Sequence, residues 1–481
     1  MMGKHDEQKE LFSYHVDLDK RVRADHPLRA IAEKIDFTFV RAEVQRFYGK
    51  KGNVSVDPVV IIKMMFLLFF DDVASERELM AIIKERLDYL WFLGFGLNDE
   101  VPNHSVLSKA RRRWGKEVFE SFFVRTVMQC VEAGLVDGKK IHVDSSLVDA
   151  NASKDSVAKS SPELIAAVKK AYGAQESKLE NTSTPEGYEA VNDRMVSTTD
   201  PDAPVVRKSG DSARPRYQHH RVVDDTNAVI TAVETTPGTI AENKKLIDLV
   251  EQHGQNTQQP AQTVVGDHKY GTSENYVACQ QRDIETHLGD VLRKQNHDHH
   301  RAGIFPDTDF QYRPEDNTYL CPANQVMKAR RVHPQKRTWE YHLPKGVCAQ
   351  CSLRKQCTRS KTGRTIQRHE HQGLLDRARQ QAHSRAARQS RKRRQIILEQ
   401  SFADAANNHG FKRARWRRLW RQQIQDWLIA GIQNIRILLS RSARKPAAAF
   451  EVLPLPHTQA AFYRFIAKIA LLRIMWTQAT D

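Results

Sequence analysis

Lys139 to Val148 reads KKIHVDSSLV, and Thr263 to Asp267 reads TVVGD. In the first stretch Ile141 and Val143 alternate with His142 and Asp144, the period-two pattern of a strand. The second is a short apolar strand that ends on an acid. Between them, Gln218 to Val233 forms two β-rich runs joined at Asp224-Asp225-Thr226-Asn227, and Glu242 to His253 has helical character. Strand, hairpin, helix, strand is the order of a mixed α/β layer. Asp144 lies mid-strand, where an isolated carboxylate is costly without a compensating cation or donor. Asp267 repeats the situation after Val264-Val265-Gly266. Acids at the ends of neighbouring strands can aim at one spot and offer hard oxygen ligands to Mg²⁺ or Mn²⁺. A pair of such ions about 3.5 to 4 Å apart activates an attacking oxygen and stabilises a leaving one.

A third acid would complete the cage. Glu399 follows the basic stretch RKRRQII, and Ile396, Ile397 and Phe402 beside it form the apolar stripe that docks this helix on the sheet. Glu370, in RHEHQG, is the rival carboxylate and lacks that flank. His142 and His268 flank the two aspartates and are read as structural.

The first 135 residues are predicted helical. Asp57-Pro58 caps and opens VVIIKMMFLLFF, and Ser75-Glu-Arg-Glu78 has capping-box spacing. Pro102-Asn103-His104-Ser105 starts a helix carrying Arg111, Arg112 and Arg113, a basic triplet that suits contact with DNA, and Glu117 to Ala133 supplies another. Residues 151 to about 214 are rich in Ser, Thr, Asp, Pro and Lys, which predicts a surface insertion or linker. Cys321, Cys348, Cys351 and Cys357 offer four soft thiolates to a structural Zn²⁺. Cys130 and Cys279 fall within helices and read as core. From about Glu370 to Ser440 the chain is again helical.

The 481 residues carry 75 Lys plus Arg against 58 Asp plus Glu, a formal charge of +17. Between Gln381 and Arg421 there are 12 basic residues against two acids, interleaved with Trp416 and Trp420. That pattern points to a polyanionic partner. Arg391, Lys392, Arg393, Arg394, Lys412, Arg413 and Arg415 are the candidate phosphate contacts, with Trp416 a candidate for stacking on unpaired bases. The longest apolar run, Val59 to Phe70, is interrupted by Lys63 and falls short of the roughly 20 residues of a membrane span. The first 25 residues lack an apolar h-region, which predicts no secretory signal and an intracellular protein. Six Cys are too few for a disulfide scaffold at this length. No GxxxxGK[ST] loop or GxSxG elbow is present, which argues against an NTPase or an α/β-hydrolase.

Taken in order, DHPLRAIAEKID (25–36), SEREL, WFLGF (91–95), VPNHSVLSKARRRWG (101–115), GLVDGKKIHVDSSLVDANAS (134–153), STTDPDA (197–203), VVGDHKYG and ILEQSFADA resemble the bacterial insertion-sequence transposases of the DDE class with an InsH-like helical N-terminal domain. The resemblance implies an RNase H-like mixed-sheet core whose Asp144, Asp267 and Glu399 bind Mg²⁺ or Mn²⁺ and cut and rejoin DNA at element ends. It also implies a homodimer on DNA in the bacterial cytoplasm, associated with the nucleoid. The organisation expected is a DNA-binding helical domain over 1–135 and a catalytic core over 136–300 with the polar insertion 151–214. A Cys-rich zinc-knuckle-like insertion over 301–365, the basic helical end of the core over 366–445 and a tail over 446–481 complete it. The family commonly carries a Lys seven residues after the Glu, where this chain has Ala406. The alternatives are a catalytically impaired DNA-binding copy and a metal-dependent nuclease on the same core.

Overall fold

The computed structural model describes residues 16–49, 55–159, 163, 166–168, 170–171, 195–207, 210–289, 303–334 and 337–442. The chain divides into one unit through Leu439 and a second from Ser440 to Asp481. The expected tail, 446–481, lies outside the described residues.

Among the described residues eight α-helices come first: α1 (Leu18–Arg21), α2 (Pro27–Lys34), α3 (Phe39–Val44), α4 (Pro58–Phe70), α5 (Glu76–Glu85), α6 (Leu87–Leu93), α7 (Ser105–Trp114) and α8 (Glu117–Glu132). Their starts follow the local chemistry. The Asp57 carboxylate accepts from the Val59 N–H at 2.8 Å ahead of Pro58, and the Ser75 hydroxyl accepts from the Glu78 N–H at 3.1 Å. Helix α4 is apolar on nearly every side and is accordingly central.

The strands that follow are β1 (Lys140–Asp149), β2 (Val157–Lys159), β3 (Met195–Ser197), β4 (Val205–Val206), β5 (Arg214–Asp224), β6 (Ile230–Pro237), β7 (Thr263–Val265) and β8 (Glu285–His287). The main sheet runs β6-β5-β1-β7-β8, with β5 antiparallel to both neighbours and β7 and β8 parallel to β1. On one face Ile141, Val143, Val222 and Val264 pack against α9 (Leu246–Thr257) and α10 (Ser273–Gln280). On the other face Val148, Val223, Ile230 and Val233 share a core with α4, α8 and the last two helices. A second sheet, β9 (Gln311–Arg313), β10 (Thr318–Leu320), β11 (Val326–His333), β12 (Thr338–His342) and β13 (Thr365–His369), is an antiparallel meander around Phe310, Tyr319, Met327, Tyr341 and Ile366. Then come α11 (Arg354–Cys357), α12 (Gln372–Ala382), α13 (Arg385–Asn408) and α14 (Leu419–Ser442).

Two polar contacts fix α13 and α14 on the sheet. Arg221, fully buried on β5, donates to the Ser401 hydroxyl of α13 at 2.7 Å and to Gln433 of α14 at 3.3 Å. Asn434 of α14 pairs with both the N–H and the carbonyl of Ile230, each at 2.8 Å, so a side chain completes the outer edge of β6.

The expected surface insertion needs correction at its C-terminal part, while much of its middle lies outside the described residues. Asp200 and Ala203 are buried. Tyr217 donates to Asp200 at 2.8 Å, and Asp202 accepts from Arg418 Nε at 2.8 Å. Segment 197–203 is therefore a tie between β5 and the start of α14. Its polar composition reflects a buried ionic network rather than solvent.

Candidate active site

The parallel register of β1 and β7 ends with His142 opposite Val265. Two residues further on, both chains reach an acid, Asp144 and Asp267. Burial pushes the Asp144 carboxyl up, the Arg394 guanidinium at 2.8 Å pulls it down, and the negative charges of Asp267 and Glu242 push it up again. Its Oδ1 accepts from the Ser145 N–H at 2.9 Å. Asp267 caps the short turn His268–Tyr270, its Oδ1 accepting from the Lys269 N–H at 2.8 Å. The two aspartates expected from sequence are thus brought to one place.

Glu399 stands elsewhere. It is exposed on α13, and its Oε1 accepts from the Gln395 side chain at 3.0 Å, one turn back on the same helix. The sheet-facing side of that helix presents Arg394, Leu398, Ser401 and Ala405 instead. Glu370 pairs with Arg337 at 3.3 Å beside the second sheet. Sequence reasoning passed over Glu242, whose carboxylate accepts from Ser145 at 2.7 Å and pairs with Lys269. Only its place in a polar turn before a helix was visible, and that is no signal of a site. Among the described residues no three His, Cys, Asp or Glu side chains stand together in a metal-ligating arrangement.

The expected DNA contacts divide. Arg111 is a correction: it is 2% exposed, paired with Glu76 and lying 3.8 Å from the Trp416 ring, because one of three successive helical residues must turn to the core. Trp416 is likewise a packing residue, half-buried with Phe69 against its edge and Arg111 on its face. Arg112 is half-buried, and Arg113 is exposed beside Tyr48. Arg391 donates to the carbonyls of Leu288 and Ala382, and Arg415 pairs with Asp72, so both are tied into the fold. Arg393 pairs with Asp225 at 2.6 Å. Lys392, Lys412 and Arg413 are exposed, with the Lys412 ammonium 2.6 Å from the Ser146 hydroxyl. His142 is structural, fully buried on Asp225 at 2.7 Å. Cys130 and Cys279 are core residues whose thiols burial pushes up to about 12. The other four cysteines are free and line one cavity. Among the described residues no helix is long and apolar enough to cross a membrane.

Two family profiles match the chain: Transposase domain (DUF772) over residues 16–113 and Transposase DDE domain over residues 320–439. No curated protein sequence matches it. Among solved structures it is similar to the Mos1 transposase paired-end complex with left transposon end, at a TM-score of 0.16 and 11% identity over 50% of this chain and 64% of that one. It is also similar to the Mos1 mariner paired end complex with Mn, at a TM-score of 0.15 and 12% identity over 54% and 70%. The chain spans just under two thirds of the first of these, and likenesses this low carry no argument. The two profiles do. The first spans α1 to α7 and the second runs from the Cys-rich sheet through the helix of Glu399, so the chain carries a transposase domain and a transposase DDE domain.

Proposed function

We propose that the protein cuts DNA at the ends of an insertion sequence and joins those ends to a target, on an RNase H-like core that uses Asp144, Asp267 and Glu399 with Mg²⁺ or Mn²⁺. The observation that carries this is the approach of Asp144, in mid-β1, to Asp267, just after β7, two residues beyond the parallel register of the two strands, in a chain with transposase regions on either side of them. The strand order β6-β5-β1-β7-β8, with β5 alone reversed, supports the core assignment.

The residues fit a divalent ion. Two carboxylates converge, and Arg394 and Lys269 already bring positive charge to them. A bound ion there stabilises the extra negative charge that builds on phosphorus as one ester bond forms and another breaks. The chain itself supplies orientation. Ser145 N–H and Lys269 N–H each hold one oxygen of an aspartate, and the second oxygen of Asp144 takes the Arg394 guanidinium. To join the pair Glu399 would have to leave Gln395, which holds it on the exposed face of α13. Exposed Lys392, Lys412, Arg413 and Arg113 would meet phosphates. Residues 1–135 would recognise the ends, 136–300 and 366–445 would form the core, and two copies would pair two ends.

For the Cys-rich segment 301–365 we propose a structural Zn²⁺ on Cys321, Cys348, Cys351 and Cys357. The four line one cavity, where burial pushes the Cys357 thiol up, Arg364 pulls it down, and the other three sulfurs push it up again. Gly363, at φ +106°, leaves room for the Cys348 sulfur, which an added Cβ would approach to 2.9 Å. Rotation of the thiols inward would give the tetrahedral set that zinc takes.

Ala406 favours one second reading, a copy that binds ends and is impaired in catalysis. An element end, a target plasmid and Mg²⁺ test both. Joined product is expected, and Asp144→Ala, Asp267→Ala and Glu399→Ala should each abolish cleavage while retaining end binding. Binding without cleavage by the unaltered protein would favour the impaired copy, and cleavage without joining would make it a nuclease.

A further inference from the structure

Glu242 opens the turn Glu242–Lys245 at the foot of α9, against the turn His268–Tyr270 that Asp267 caps. The two turns are held together by Asn275, whose amide donates to the carbonyls of Asn243 and Tyr270, both at 2.9 Å. From there the Glu242 carboxylate touches the immediate neighbours of both aspartates. Oε2 accepts from Ser145, the residue after Asp144, whose hydroxyl is in turn oriented by the Gln218 amide at 2.7 Å. Oε1 takes the ammonium of Lys269, two residues after Asp267. That ammonium is surrounded by carboxylates, its proton held by Glu242 first and by the charges of Asp267 and Asp144 after it.

A second feature points to a missing ligand. The Tyr270 hydroxyl is fully buried with no hydrogen-bond partner, and the carboxylates around it are Glu242, Asp144 and Asp267. The Ser145 hydroxyl beside it, which donates to Glu242 and accepts from Gln218, offers it no hydrogen bond of ordinary geometry. A buried phenol left unpaired beside three acids is a costly arrangement unless something else, such as the water shell of an ion, completes it.

We propose that Glu242 is a metal-ligating carboxylate of this site, beside Asp144 and Asp267, and that the Lys269 ammonium is the cation holding its place in the ion-free protein. The carboxylates stand apart because they are spread around an ammonium rather than drawn onto a smaller doubly charged ion. Lys269 can leave, since its side chain is 57% exposed while that of Glu242 is 13% exposed. On leaving, it carries a positive charge toward solvent at the mouth of the site, where a phosphate would lie. Glu399 faces away in the same protein, so Glu242 serves ion capture before DNA is bound.

This rests on the metal-dependent reading above, and the experiment separates the two. Mn²⁺ is titrated into the full-length, DNA-free protein and free Mn²⁺ is followed by electron paramagnetic resonance, with circular dichroism checking each variant's fold. Glu242→Gln, nearly isosteric and still able to accept from Ser145, is expected to weaken Mn²⁺ at least tenfold. Lys269→Met is expected to tighten it at least threefold by removing the competing cation. If Glu242→Gln binds like the unaltered protein while Asp144→Ala loses the ion, or if Lys269→Met fails to bind more tightly, the assignment of Glu242 is overturned and the metal-dependent reading stands. If Asp144→Ala also keeps full Mn²⁺ affinity, both fall.

Discussion

Arg111 illustrates how a residue that looks made for DNA can belong to the core. Its guanidinium is buried between Glu76 of α5 and the Trp416 ring, with burial lowering its pKa and Glu76 raising it. Arg111→Ala would leave the Glu76 carboxylate, itself largely buried, without a partner, and breaking such a pair costs about 3–5 kcal/mol. Arg113, exposed on the same helix, should cost under about 1 kcal/mol as alanine. Urea midpoints compare the two directly, and equal midpoints would mean that Arg111 is not held as described. Asp200 makes a different residue-scale prediction. Burial, then the neighbouring Asp202 charge, pushes its carboxyl up to about 7 from 3.8. A folded-state value above the unfolded one means that the group's contribution is complete below the unfolded value and is lost as pH rises through the folded one. Stability should therefore fall between pH 3.8 and about 7, by at most about 1.4 kcal/mol per pH unit from this group. Asp200→Asn should remove that slope in denaturation curves collected across the window, and an unchanged slope would assign it to other groups.

At the scale of elements, the sequence was readable where a rule of local chemistry governs and opaque where tertiary register does. Caps at Asp57 and Ser75 and the strand through Val143 stand where their patterns put them, although His142 is buried with its neighbours, and the strand before Asp267 stops two residues short of the acid. Glu242 could not be found that way, because nothing within its own turn says that β1 and β7 bring Ser145 and Lys269 to it. The basic run on α13 misleads for a related reason. Arg391, Arg393 and Arg394 spend their guanidinium groups on two carbonyls, Asp225 and Asp144, so charge counted along the chain overstates charge presented to a ligand. The polar residues of α14 were equally silent, since Asn434 and Gln423 serve the buried outer edge of β6. The Cys-rich sheet carries the element-scale prediction. Its core is a handful of side chains around Tyr319, Met327 and Tyr341, a size that ordinarily needs a staple. If zinc is that staple, a thiol-directed mercurial should release one Zn²⁺ per chain and open residues 303–369 to protease while the main sheet stays protected. Metal analysis finding no zinc in protein purified without chelator would leave the cavity as free thiols.

For the whole molecule, the decisive fact is that the N-terminal helices do not own their hydrophobic core. Residues of α4 and α8 are continuous with Val148, Val223 and Ile230 of the sheet and with Ile424, Leu428 and Ile435 of α14. On the function proposed above, ends recognised by the helical region and ends held at Asp144 would be coupled through packed side chains rather than through a linker, as keeping hold of DNA between two chemical steps requires. One tight point of that contact is Gly431 on α14, where an added Cβ would come within 2.8 Å of the Phe122 ring on α8. Interiors at native density do not absorb such an intrusion without moving a helix, at a cost of about 1–3 kcal/mol. Gly431→Val should therefore lower the melting temperature of the entire chain through Leu439, with aromatic near-ultraviolet and backbone far-ultraviolet signals shifting together in one transition. Two separated transitions, with only one displaced by the substitution, would show that the helical region and the sheet fold as independent bodies and that the coupling argued from their shared core does not exist.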